Sequence, residues 1–577
     1  MSLSSSLTHC SSQLTNSFSP VRIRPFDLDA APLFCLRRQY NMQQLYRYVK
    51  DMNYTLLQTS HHNLRYSCHQ EDFHRKTEEF LLRTNAYEEI TSVEPPPAPP
   101  SPSPTSFNDT KVHDLLNSIT EQGRNLLKTL YEEKQMTFFH YQQMLIVRNL
   151  VRLDYLFFTL DLREQQQQQE RLEEKQPFIL EQRFFSTLSP LMPICRYLHR
   201  LLNPIYLNQI GEKPTVENGA DIIERLECYR NNNYLRSTTY FVTLHLQDSY
   251  TSIPHQQLLE TFRRFLDDYI QDETILLGIT KDGVFKLTEF ILENQYFLYQ
   301  YRIYRIVQGG STALYYYKLL LNIYFYYWQN PLRLRCENRQ EIFLRCFNDI
   351  FFTWNETKED LYNVLQFIQN SQTLSLQYDL QIDKNKIHFL DVLIEYDNST
   401  LHTHVYHDWK YEPFILPTLH DSNLLSPWNI LRMAIIRAVL TCSRLEDFEE
   451  EKQYIEYSFL FHEFSFEFIR QHWRSFFEEF HATDMMTYPD QSVYDDLRQQ
   501  IYCWHRGRKE ETHQRLLEYQ KQCIWYIYVP FQGVALYYAK RNPMQFLPYS
   551  WQRDLDKLNG IHLEVIGVPK YPLNSIG

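Results

Sequence analysis

The stretch "LRCFNDIFFTW", Leu344–Trp354, decides how the rest of this chain is read. Two apolar runs are split by Asn348-Asp349, and both residue types tolerate positive φ, so the stretch reads as a β-hairpin turning on that dipeptide. As an ordinary hairpin, its aspartate does no chemistry. At the head of a strand and beside a second carboxylate, the same aspartate would be half of a divalent-metal site. The flanking elements separate the two readings.

Downstream, "TKEDLYNVLQFIQN" opens with a capping box, Thr357 to Asp360, and places Leu361, Val364, Leu365 and Ile368 on one helical face. "KIHFLDVLIEYDNSTLHTHVYH" then reads as a hairpin turning near Asp397-Asn398. Upstream, "TTYFVTLHL" (Thr238–Leu246) is a strand, and "HQQLLETFRRFLDDY" is a helix with Leu258, Leu259, Phe262 and Phe265 on its apolar side. Between them lies "ALYYYKLLLNIYFYYW", Ala313–Trp328, which is shorter than the ~20 residues of a membrane span and carries Lys318 and Asn322. It reads as a buried helix. The order of these elements predicts an α+β fold, a sheet with helices on one face.

Composition narrows the function. The chain has 577 residues, 43% of them hydrophobic and 15% aromatic, enough for a large core. It has only 12 glycines, where an average of ~7% would give about 40. Neither phosphate-cradling glycine motif, GxxxxGK[ST] or GxGxxG, occurs. A net charge of -12 opposes indiscriminate binding to a phosphate backbone, leaving room for a local basic groove. Ten scattered cysteines include no CxxC pair, so neither a zinc site nor a disulfide framework is expected. "MSLSSSLTHCSSQLTNSFSP" lacks the regions of a signal peptide, and an intracellular protein without a membrane segment is expected.

"PPPAPPSPSP", Pro95–Pro104, reads as a semi-rigid linker. It sets residues 1–93 apart as an N-terminal appendage, 94–106 as linker and 107–179 as a helical region that includes the solvated run Gln165–Gln169.

Across residues 180–475, several segments in order resemble the reverse transcriptases of Penelope-like retroelements. "FFSTLSPLMPICRYLHRLLNPIY" is similar to the family's fingers segment with its "LLxPIY" ending, and "YFVTLHLQDSYTSIP" to its first palm strand, F-x-T-x-D-V-x-x-L-Y-T-x-I-P. "YRIYRIVQGGSTALYYYKLLLNIYFYYW" aligns with "YYRQIRGGAMGS…LANIY", "RCFNDIFFTW" with "RYIDDxFxxW", and "IHFLDVLI" with "xxFLDVxI". "LHTHVYHDWKYEPFILP" and "ILRMAIIRAVLTCSRLEDFEEEKQYIE" complete the series. The resemblance implies a right-hand polymerase with fingers and palm at 180–417 and thumb helices at 418–478. It leaves 479–577 without a role, and no GIY-YIG endonuclease is recognisable there.

Nucleotidyl transfer in that family uses two Mg²⁺ ions, which demand hard oxygen ligands. The positions of the family's catalytic aspartates are here His245, Asn348 and Asp349, so only Asp349 keeps its carboxylate. Imidazole suits Zn²⁺ or Cu²⁺ better than Mg²⁺, and the asparagine carbonyl is neutral. Asp248 does not rescue the strand, because His245 keeps the five-residue spacing to Tyr250 and residues 245 and 248 would face opposite sides. "GGAMGS" has become "GGSTAL", which retains Gly309 and Gly310; Gln182 stands at the fingers arginine position beside Arg183; Asp408 stands at a lysine position. The resemblance further implies nucleic-acid or nucleotide contacts at Gln182, Arg183, Tyr250, Gly309, Gly310, Arg432 and Arg437. The expectation is a pseudoenzyme without metal or other cofactor that meets RNA or an RNA/DNA hybrid. Two rivals are an active RNA-directed DNA polymerase with unusual Mg²⁺ ligation and a protein-interaction scaffold.

Overall fold

The computed structural model describes residues 52–58, 65–92, 110–148, 151–161, 179–185, 188–211, 216, 219–271, 276, 278–371, 376–397, 400–407, 427–462, 464–520, 523–530 and 561–568. The linker expected at 94–106, the glutamine run and Asp408 lie outside the described residues.

A hairpin of β1 (Tyr54–Gln58) and β2 (Arg65–His69) leads into helix α1 (Gln70–Thr84) and strand β3 (Tyr87–Ser92). Helices α2 (Thr110–Glu132) and α3 (Phe138–Gln143) precede the antiparallel pair β4 (Asp154–Asp161) and β5 (Ile179–Phe185). Next come α4 (Met192–Tyr206), α5 (Gly219–Asn231), β6 (Tyr240–Leu246), α6 (His255–Tyr269) and α7 (Lys281–Glu293). Short strands β7 (Tyr296–Tyr299) and β8 (Arg302–Ile306) are followed by α8 (Tyr315–Asn338), β9 (Phe343–Cys346), β10 (Asp349–Trp354) and α9 (Lys358–Ser371). Strands β11 (Tyr378–Asp383), β12 (Lys386–Phe389), β13 (Val392–Asp397) and β14 (Thr400–Val405) come next. Helices α10 (Pro427–Thr441), α11 (Leu445–Phe461), α12 (Phe466–Glu479) and α13 (Gln491–Gln520) form a bundle, and β15 (Cys523–Pro530) pairs in parallel with β16 (Ile561–Val568).

The fold is a mixed α+β architecture whose centre is a four-stranded antiparallel sheet in the order β11-β6-β10-β9. Side-chain alternation sorts its strands onto two buried faces. Val242, Leu244, Leu246, Ile350, Phe352 and Trp354 pack with Leu258, Phe262 and Phe325 from α6 and α8 in the main core. Phe241, Leu344 and Phe351 face the other way, against α5 and the small sheet β12-β13-β14. Because both faces are covered, β10 reads as the continuous apolar run "IFFTW", and each fully buried large side chain there contributes about 1.5–3 kcal/mol.

Helix α8 is the buried helix expected at Ala313–Trp328, extended to Asn338. No helix among the described residues is long and apolar enough to cross a membrane. Its Tyr316, Tyr317, Leu320, Leu321, Phe325 and Trp328 are buried behind the sheet.

A second sheet, β3-β8-β7-β4-β5, differs from the expected domain plan in two ways. Residues 54–92, read as an appendage, contribute its edge strand β3 and the packed helix α1, with Phe80 buried in the same core as Phe158 and Phe297. Residues 107–179, read as helical, contain the strand β4. The sheet is curled, since Tyr87 on one edge strand donates a hydrogen bond to Gln182 on the opposite edge strand.

The bundle has its own core, built on Leu431, Ile435, Phe448, Phe459, Trp473, Phe476, Tyr494 and Leu497. Three ion pairs tie α13 to α5: Arg498 to Glu227 (3.1 Å), Arg506 to Glu224 (2.5 Å) and Lys509 to Asp221 (2.7 Å).

Candidate active site

Register places the site. His245 in β6 lies directly opposite Asp349 of β10 on one side and Asp379 of β11 on the other, and Asp349 lies opposite Cys346 of β9. Residues opposed in an antiparallel ladder share a face, so Cys346, Asp349, His245 and Asp379 form one row across all four strands. Further along the same face come Phe351 and Phe241, both buried. The row marks where that face leaves the apolar core: the His245 and Asp349 side chains keep 28% and 30% of their exposure, enough to be reached from solvent.

Within the row, His245 Nδ1 and Asp349 Oδ1 are 2.6 Å apart. The carboxylate can only accept, so Nδ1–H donates and the imidazole keeps Nε2 for other partners. Both oxygens of Asp379 accept from Gln247 Nε2, at 3.0 and 2.9 Å.

The hairpin turns one residue earlier than the sequence reading placed it. Phe347 and Asn348 form the turn, and Asp349 is the first residue of β10. Phe347 has φ 56°, a conformation that costs a bulky side chain of order 1–3 kcal/mol. Tertiary contacts impose it. The fully buried Arg345 donates from Nη1 to the Phe347 carbonyl and to Asn322 Oδ1, both at 3.0 Å, and from Nη2 to the Tyr206 hydroxyl at 3.2 Å. Ser249 Oγ donates to Asn348 Oδ1 at 2.7 Å, and Leu246 N donates to the Asn348 carbonyl at 2.9 Å. The Tyr250 ring lies 5.2 Å from that of Phe347, and the Lys318 ammonium stands 5.2 Å from the same Phe347 ring. Asn348 therefore locks the turn.

The other expected contacts divide into two groups. Gly309 and Gly310 sit against Tyr250: Gly310 N donates to the Tyr250 carbonyl at 2.9 Å, and Gly309 N to that of Ile253 at 2.9 Å. Gly309 has φ 78°, and a Cβ there would meet Tyr250 O at 2.0 Å. Gly309 is thus needed for close backbone approach, whereas a Cβ at Gly310 would meet the Tyr317 ring at 2.4 Å. Burial raises the Tyr250 phenol well above its ordinary range, opposed by the nearby Arg183 charge, so it stays protonated. Arg183 itself pairs with Glu181 at 3.0 Å, and Gln182 is buried against Tyr87. Tyr250 links this group to the hairpin through the Phe347 ring. Arg432 and Arg437 belong elsewhere. Arg432 pairs with Glu479 at 2.6 Å and stacks over Trp504, while Arg437 meets Glu451, which also binds His407 Nε2 at 2.5 Å.

Two participants escaped sequence reading. Asp379 is one, although "YDLQID" alternates polar residues on the correct face. The other is Arg83, which binds Asp248 at 2.9 and 3.4 Å. Asp248 lies past the strand end with φ 48°, away from the row.

The donor set does not fit a two-Mg²⁺ clamp. Of His245, Asn348 and Asp349 only Asp349 carries a carboxyl group, and its oxygen is engaged by imidazole. Strands are spaced ~4.8 Å apart, so the ends of a straight four-member row stand about 14 Å apart and cannot converge on one ion. Among the described residues no three of His, Cys, Asp or Glu converge on such a point. Nucleophilic catalysis fails on order as well, since Asp349 separates Cys346 from the imidazole that would have to activate it.

No protein-family model matches the sequence, and no curated protein matches it. Among solved structures, the chain is similar to apo telomerase from Candida tropicalis, at 11% identity over 79% of this chain and 71% of that one, with a TM-score of 0.40. It is similar to telomerase from Candida albicans in complex with a TWJ fragment of telomeric RNA, at 11% identity over 78% and 68% of the chains, with a TM-score of 0.45. The Sicinivirus 3Dpol RNA-dependent RNA polymerase is a further likeness, at 11% identity over 58% and 70%, with a TM-score of 0.36.

Proposed function

We propose that this is a reverse-transcriptase-like protein of Penelope-like retroelement origin that no longer synthesises DNA and uses its cleft to hold RNA or an RNA/DNA hybrid inside the cell. The collinear motif series over residues 180–475 supports the origin, and the adjacency of β6 and β10 supports a palm reading of the central sheet. One observation carries the loss of chemistry: the carboxylate that survives, Asp349, is hydrogen-bonded at 2.6 Å to the histidine that stands where its partner aspartate should be. A two-metal displacement needs anionic oxygens at both places. Losing even ~6 kcal/mol of transition-state stabilisation slows the step by about four powers of ten.

Primer extension on an RNA template with Mg²⁺ or Mn²⁺ is the test, and no product is expected. Template-dependent extension by the unaltered protein, abolished by Asp349→Ala, would establish the active-polymerase rival instead.

The scaffold reading is favoured by a different observation. Arg263, Arg302, Arg333, Arg335, Arg432 and Arg506 all spend their charge on carboxylates of this chain. A labelled RNA/DNA hybrid should be retained with an affinity that falls as salt rises. Absent or salt-independent retention would favour the scaffold.

A further inference from the structure

The helical bundle meets the rest of the fold across a contact with little apolar burial. Among the described residues, its buried core takes only Ala220 of α5 and Val405 of β14 from outside the bundle. Helix α5 has spent its apolar face elsewhere: Ile222, Ile223, Leu226 and Tyr229 pack under the sheets. That leaves Asp221, Glu224 and Glu227, three residues apart on one helical stripe, for the bundle. On α13, Arg498, Arg506 and Lys509 answer them in the opposite chain direction, to Glu227, Glu224 and Asp221 respectively. The inner pair is anchored. Arg498 keeps 11% exposure, and its Nε also donates to the Val439 carbonyl of α10 at 3.2 Å. The outer pairs are open to solvent, with Arg506 and Glu224 at 63% and 49% and Lys509 at 46%. Helix α13 also runs beside α4, but its residues 506–512 are all exposed, so along this stretch charge rather than burial makes the contact.

We propose that α5 and α13 form an electrostatic joint whose outer pairs let go as ionic strength rises, undocking the bundle while it stays folded on its own core. The joint does not rest on the nucleic-acid reading above. Salt shortens the reach of exposed charges, from ~10 Å at 0.1 M to ~3 Å at 1 M, and screens buried pairs much less. It leaves the apolar core of Leu431, Phe448, Trp473 and Leu497 intact. Polar contacts of this kind between units with separate cores permit relative motion. A second, uncharged seam registers that motion. The outer edge of β14 meets the loop after α10, where Ser443 N donates to the Thr403 carbonyl at 2.8 Å and Thr403 N to Ser443 Oγ at 3.0 Å. Beside it, the buried Glu451 of α11 binds His407, a contact that salt reaches least.

Hydrogen exchange on the full chain tests the joint without any ligand. Between about 50 mM and about 500 mM NaCl, exchange of the Ser443 and Thr403 amides should speed by roughly 3- to 10-fold, the scale of two exposed ion pairs. The Ile469, Trp473 and Phe476 amides inside α12 should change by less than about twofold. Glu224→Arg should speed the two seam amides at low salt by a similar factor and flatten their salt response. The charge swap Glu224→Arg with Arg506→Glu should return both to the unaltered behaviour. A salt response below about twofold at both seam amides of the unaltered protein, or no return in the swap, would overturn the joint. Equal acceleration inside α12 would overturn it too, because the bundle would then be unfolding rather than undocking.

Discussion

Replacing His245 by aspartate tests whether the cross-strand row is one electrostatic unit. The substitution removes the 2.6 Å bond to Asp349, a hydrogen bond to a charged acceptor worth about 1.5–3 kcal/mol. It also sets a third carboxylate between Asp349 and Asp379, its register partners on either side. Unit charges ~5 Å apart interact by about 3 kcal/mol at an effective dielectric near 20, so two such repulsions would add about 6. The row is partly solvated and one carboxyl can take up a proton, so the observable loss should be about 3–5 kcal/mol at pH 7.5. Urea unfolding followed by tryptophan fluorescence reads it, with Trp354 buried at the far end of β10.

The crowded carboxyls of this variant would have a folded pKa above the unfolded value, so the folded state binds more protons and stability should recover as pH falls from 7.5 towards 5. Mg²⁺ should also recover it, because a cation that binds the folded state at 100 times its Kd adds about 2.7 kcal/mol. The unaltered protein should show no comparable Mg²⁺ effect. A variant within about 0.5 kcal/mol of the unaltered protein and indifferent to Mg²⁺ would refute the reasoning.

Two further outcomes follow from local geometry. Gly309→Ala should cost roughly 3–5 kcal/mol, from a left-handed backbone that disfavours Cβ and from the two loop hydrogen bonds that the 2.0 Å clash would break; an unfolding midpoint close to that of the unaltered protein would contradict it. Burial lowers His140 and His199 from an ordinary value of 6.5 to about 4, with the Lys318 charge adding to the effect at His199. The unfolded chain therefore binds more protons between those values, and stability should rise from pH 4 to 6.5 and be lost as pH falls through that window. His199→Phe should flatten part of that slope in urea midpoints measured across the window.

Much was legible in the chain itself. The alternation of "FVTLHL", the unbroken buried run "IFFTW", the capping box at Thr357, where Asp360 N donates to Thr357 Oγ1 at 3.1 Å, and the apolar run of α8 are local signals, and each became the expected element. The pairing of His245 with Asp349 was expected from the order of the motifs by which the sequence resembles Penelope-like reverse transcriptases, and the ladder has that register. Asn348-Asp349 has better turn chemistry than Phe347-Asn348, yet the turn falls on the latter. Arg345, Ser249 and the paired β6 strand fix the register, and a turn residue must follow register when the two conflict. The same distinction governs the basic residues. Sequence shows that Arg432 and Arg437 are arginines on a helix, but only the packing of α10 against α12 and α11 supplies Glu479 and Glu451 as their partners.

The sequence alone determined the elements and the residue types at 245, 348 and 349, since both depend on neighbours a few residues apart or on one amino acid at a time. Tertiary structure alone decided that Asp379 joins the row, that Tyr87 meets Gln182 and that Arg83 meets Asp248. Those contacts join residues 95 to 165 positions apart, and nothing in local propensity selects one distant partner over another until the chain has closed on itself.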